Sequence, residues 1–77
     1  MWSATTENRP VIRANGEEFF FEPGQSFRAA VNQVARQVGY GKFTVTLNGT
    51  VIDSPEDAPP TLVAGDVVIL APYNVPG

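Results

Sequence analysis

From residue 11 onward the apolar positions come in short clusters, each closed by Gly, Pro, Asn or Asp. Val11, Ile12, Arg13 and Ala14 lead into Asn15-Gly16, and residues 17–22 follow with Phe19, Phe20 and Phe21 in a row. This pattern predicts a hairpin, because Asn-Gly suits a type I′ turn whose two central residues take positive φ. Side chains alternate along a strand, so Phe19 and Phe21 share one face and Phe20 takes the other. Phe20 is then either covered by neighbouring chain or left exposed as part of a binding surface.

After Pro23-Gly24 the period changes from two to that of a helix. Phe27, Ala30, Val31, Val34, Ala35 and Val38 fall on one stripe, while Arg28, Asn32, Gln33, Arg36 and Gln37 fill the opposite side. Ser26 suits the N-cap and Gly39 the left-handed position that follows a last turn. Beyond Tyr40-Gly41-Lys42, Phe43, Val45 and Leu47 alternate with Thr44 and Thr46, as a half-buried strand requires. Asn48-Gly49 turns it, and Thr50, Val51 and Ile52 make a short return. Residues 53–60 read as an irregular crossing, anchored to the core by Leu62 and Val63. Ala64-Gly65-Asp66 gives a last turn before residues 67–70, a strand apolar enough to be buried on both faces. A crossover from the hairpin through the helix would lay this strand parallel to the first and beside it.

Residues 1–10 show no periodicity and read as a flexible arm, with Trp2 its one large apolar group. The expected organisation is this arm, a domain over residues 11–72, and an extended tail over residues 73–77. No run approaches the roughly 18 apolar residues needed to cross a bilayer, and no basic segment precedes an apolar one near the start. A cytoplasmic monomer is therefore expected.

Composition narrows the chemistry. The chain has no cysteine and no histidine, so thiol nucleophiles, thiolate metal sites and the usual proton shuttle near neutral pH are absent. Glu17, Glu18 and Glu22 sit on or beside one strand, but paired acids need a cleft that so small a domain seldom has. Glu56 and Asp57 lack the ligand spacing of a calcium loop. A formal net charge of −3 disfavours a grip on phosphate backbones. The chain is expected not to be an enzyme and to hold no metal or cofactor of its own.

In order and spacing, four stretches resemble the ubiquitin-like β-grasp family, and in particular its small sulfur-carrier and prokaryotic modifier branch. Pro23-Gly24-Gln25-Ser26 resembles the Gly-x-Thr or Gly-x-Ser step into that family's helix, and Leu47-Asn48-Gly49-Thr50-Val51-Ile52 its central hairpin. Gly65-Asp66-Val67-Val68-Ile69-Leu70 is similar to its Gly-Asp turn and final strand, and residues 72–77 to its terminal tail. The resemblance implies an α+β, β-grasp fold, a mixed four- to five-stranded sheet with one helix across one face. It also implies a working group, the C-terminal glycine carboxylate, which an E1-like enzyme adenylates with ATP and magnesium before a sulfur donor or a cysteine attacks.

On that pattern Gly77 is the activated residue, with Pro76 and Val75 guiding it, and a sulfur acceptor or modified target follows downstream. The family ends Gly-Gly, whereas this chain ends Pro76-Gly77, which fixes φ and removes an amide hydrogen. The other reading of Val75, Pro76 and Gly77 is a frayed end. Lys42, the only lysine, is a candidate acceptor for modifier chains or else a solvated loop charge. A second hypothesis is a module that is never activated and binds a partner through its sheet, with Phe20, Thr44, Thr46 and Tyr73 as contacts.

Overall fold

The computed structural model of the chain describes residues 9–53 and 55–73. They form a small α+β domain with one helix and a mixed five-stranded sheet of order β2-β1-β5-β3-β4. The strands are β1 (Val11–Ala14), β2 (Glu17–Phe20), β3 (Phe43–Leu47), β4 (Thr50–Ile52) and β5 (Val67–Pro72). β5 is central, parallel to β1 and antiparallel to β3. Both hairpin turns take the backbone their residues favour: φ is 55° and 78° at Asn15-Gly16, and 50° and 88° at Asn48-Gly49. Positive φ at both central residues is what a two-residue I′ turn needs.

Helix α1 (Phe27–Val38) is closed at both ends by its flanking residues. The Ala29 N–H donates to the Ser26 Oγ at 3.3 Å, satisfying one of the first-turn donors. Gly39 enters the left-handed region at φ 83°, its N–H reaches the Arg36 carbonyl, and the Tyr40 N–H reaches the Ala35 carbonyl. That pair of bonds is the Schellman arrangement, and it stops the helix where the apolar stripe stops.

The stripe packs onto one side of the sheet. Phe27, Ala30, Val31, Val34 and Ala35 are buried against Ile12 and Ala14 of β1 and Val68 and Leu70 of β5, with Phe21 and Leu62 completing the core. Phe19, Phe43, Val45 and Leu47 line its margins, half-buried. Phe21 lies beyond the end of β2, yet its N–H donates to the Pro10 carbonyl at 2.9 Å and continues the alternation. Phe19 and Phe21 therefore face the core together, and Phe20 faces away.

Two expectations need correction. Leu62 is fully buried, but Val63 is 55% exposed and anchors nothing. The anchoring comes from backbone bonds: Leu62 N–H to Gln25 O at 2.8 Å, Gly24 N–H to Leu62 O at 2.7 Å, and Phe27 N–H to Pro60 O at 3.2 Å. The crossing, which includes one 3-10 turn at Pro55–Asp57, thus ends stitched to the helix entry. The last strand is not buried on both faces either, because Ile69 is 43% exposed. It is also longer than its apolar run, reaching Pro72 by pairing with Phe43.

Candidate functional site

Strand register assigns every outward side chain to a place on the sheet face that the helix leaves open. Phe20, Val11 and Val67 stand in one row across β2, β1 and β5. Glu18, Arg13, Ile69, Thr46 and Val51 form the next, crossing all five strands. Ala71 and Thr44 form a third, tied by a hydrogen bond from the Thr44 hydroxyl to the Ala71 carbonyl at 3.5 Å. Tyr73 follows, sharing a shallow, solvent-open depression with Thr44, Val51, Lys42 and Asp53.

The face sets exposed apolar side chains among exposed polar ones, Arg13, Glu18 and Thr44. Phe20, Val51 and Tyr73 are each just over half exposed, and Ile69 lies at the centre of the sheet between them. The only ion pair on it joins the Arg13 Nε to the Glu18 carboxylate at 3.0 Å, among the described residues. Both partners are about half exposed, so the pair adds little stability and chiefly keeps the two charges occupied with each other.

The structure brings Phe20, Thr44, Thr46 and Tyr73 to this side of the sheet. It adds Ile69 and Val51, which sequence reasoning missed. The signal for Ile69 lay in its neighbours, since a strand flanked by Arg13 on one side and Thr46 on the other has a solvent face. Lys42 lies in the connection before β3, exposed, with its carbonyl accepting the Tyr73 N–H at 2.9 Å. Val75, Pro76 and Gly77 lie outside the described residues.

The acids do not converge. Glu18 is engaged by Arg13 and Glu22 by Arg9 at 3.7 Å, both near the surface. No group of three or more metal-ligating side chains gathers among the described residues. Among the described residues the one buried acid is Asp66, 6% exposed. One of its oxygens accepts the Val63 N–H at 3.0 Å, and the other accepts the Asn48 side-chain amide at 3.1 Å. Among the described residues no helix is long and apolar enough to cross a membrane.

No family model matches the chain, and neither a curated protein nor a solved structure matches it.

Proposed function

We propose that this chain is a β-grasp, ubiquitin-like protein, a carrier or modifier that an E1-like adenylating enzyme holds by the outer face of the sheet. The observation that carries the reading is the set of exposed apolar side chains, Phe20, Ile69, Val51 and Tyr73, on the side of the sheet away from the helix. Such a face is too flat for a small molecule, which takes a concave site. The net charge of −3 is wrong for nucleic acid. Aromatic and aliphatic groups with few charges are the composition of a protein interface core. β5 supplies the second half of the argument, since this central strand ends at Pro72 and Tyr73 just beyond it bonds to the Lys42 carbonyl. Gly77 follows Tyr73 by four residues, a reach of at most about 14 Å from this end of the sheet.

In this reading the Gly77 carboxylate attacks the α-phosphorus of ATP, forming the acyl-adenylate and expelling pyrophosphate. Sulfide then attacks the carbonyl carbon, AMP leaves, and a thiocarboxylate remains. Every catalytic group belongs to the enzyme, and this chain contributes a backbone carboxylate and a handle. A second reading keeps the handle without the chemistry: a module that docks by the same face and is never activated. Pro76 favours it, because the penultimate amide hydrogen is missing.

Intact mass spectrometry separates the two. After incubation with the source organism's E1-like enzyme, ATP, magnesium and sulfide, the carrier reading expects added AMP, or one oxygen replaced by sulfur, located at Gly77. Ile69→Glu, which sets an acid beside Arg13, should keep the fold and lower that yield at least tenfold. An unchanged wild-type mass, with a Gly-Gly carrier reacting in the same mixture, would remove activation and leave the docking module.

A further inference from the structure

The two hairpin turns carry the same dipeptide, Asn15-Gly16 and Asn48-Gly49, with positive φ at all four residues, and all four are exposed. A side chain added at either glycine would meet nothing within 4 Å, so crowding does not distinguish the two tips. Hydrogen bonding does. Asn48 is held by three bonds: its N–H donates to the Val67 carbonyl at 2.8 Å, its Oδ1 accepts the Val67 N–H at 2.9 Å, and its Nδ2 donates to Asp66 at 3.1 Å. Asn15 has a counterpart to none of them among the described residues.

We infer that Asn15 is a modification site, deamidating spontaneously through a succinimide, and that its three bonds spare Asn48. The Gly16 nitrogen attacks the Asn15 Cγ, the Cγ–Nδ2 bond breaks, and ammonia leaves with the proton given up by the attacking nitrogen. Glycine leaves that nitrogen uncrowded because it has no Cβ. Water then opens the ring: at Cγ it gives aspartate, and at the main-chain carbonyl it gives isoaspartate. The net change is one amide and one water to one carboxylate and one ammonium ion, with no metal, oxidant or enzyme. Ring closure needs the asparagine to leave its turn conformation and swing Cγ onto the next nitrogen. At Asn15 only the turn has to open, whereas at Asn48 three further bonds break, each worth roughly a twofold to tenfold factor in the open population. Either product adds a negative charge two residues from the exposed Glu17. Isoaspartate also lengthens the main chain inside the two-residue turn that pairs Ala14 with Glu17, which loosens the hairpin carrying Phe20. Its free α-carboxylate is a substrate for carboxyl methylation from S-adenosylmethionine, the reaction class that would consume this product. None of this depends on activation at Gly77.

The test incubates the full chain in mildly alkaline buffer and follows both Asn-Gly sites by peptide mapping with mass spectrometry. Labelling by an isoaspartyl methyltransferase with tritiated S-adenosylmethionine reports the isoaspartate. In the folded chain Asn15 should convert at least tenfold faster than Asn48. In concentrated urea the two rates should come within about threefold of each other, because the difference lies in the bonds and not in the neighbouring residues. Asp66→Ala removes one of the three bonds and should speed Asn48 at least twofold while leaving Asn15 unchanged. A rise at both sites in that variant would instead report global unfolding and count against the bond to Asp66 as the protecting contact. Equal rates in the folded chain, faster conversion at Asn48, or a tenfold difference that survives in urea would each overturn the inference. So would an Asn15 that stays intact in the folded chain for as long as the unfolded chain takes to convert fully.

Discussion

Replacing Leu62 by alanine is expected to cost about 2–5 kcal/mol of folding free energy, toward the upper end of that range. Leu62 has no solvent exposure and packs in the main core although it belongs to no strand or helix. Its backbone is held on both sides, by the bond to Gln25 and the bond from Gly24. A residue pinned this way cannot sink inward to fill the space left by a shortened side chain, so the cavity persists and its cost adds to the lost transfer energy. A chain of this length has roughly 4–12 kcal/mol of stability in total. Leu62→Ala therefore removes a large share of it, visible as a lowered urea midpoint with the slope unchanged. Val63→Ala is the control, because Val63 is more than half exposed and should shift stability by no more than about 0.5 kcal/mol. Equal losses at the two positions would mean that the crossing is not anchored through Leu62.

That contrast shows where reading the chain by pattern stops. Both hairpins and the helix are legible because their signals are local: Asn-Gly at the two turns, Ser26 and Gly39 at the helix ends, and side-chain spacing between them. The crossing carries no such signal. Its prolines and acids have no period, and what fixes it is a set of main-chain bonds to Gly24, Gln25 and Phe27, which no side-chain pattern reports. Leu62 and Val63 look equivalent as letters. Only the bridge between Ser26 and Thr61 decides which of them turns inward.

The outer face was legible to the same extent. Alternation alone separates Phe20 from Phe19 and Phe21, and Thr44 and Thr46 from Val45. It fails for β5, where Val67, Val68, Ile69 and Leu70 are all apolar and alternation has nothing to alternate between. The faces of β5 are set by its neighbours. Val68 and Leu70 pair with Ile12 and Ala14 toward the helix, so Ile69 must stand with Arg13 and Thr46 toward solvent. Ile69 is thus the exposed apolar residue on the central strand, where a charge meets any partner that docks on this face.

Asn48→Ala is expected to destabilise the domain by about 2–4 kcal/mol, through two separable causes. The Asn48 side chain makes two bonds, its Oδ1 accepting the Val67 N–H at 2.9 Å and its Nδ2 donating to Asp66 at 3.1 Å. Each is worth about 0.5–1.5 kcal/mol. The backbone adds to this, because φ is 50° at Asn48, a conformation Asn tolerates and Ala holds at a cost of about 1 kcal/mol. Asn48→Gly removes the bonds but keeps the φ, so it should fall short of the alanine variant by about that last amount. Asp66→Ala deprives the Val63 N–H and the Asn48 amide of their partner and should cost about 1–3 kcal/mol. The two sites share one hydrogen bond, so the double variant should be less destabilised than the sum, by about 0.5–1.5 kcal/mol. Simple additivity in urea unfolding would show that Asn48 and Asp66 act separately. Coupling would show that they form one clasp, which joins the β3–β4 turn to the start of β5 and so holds Thr46 beside Ile69 on the face proposed to dock.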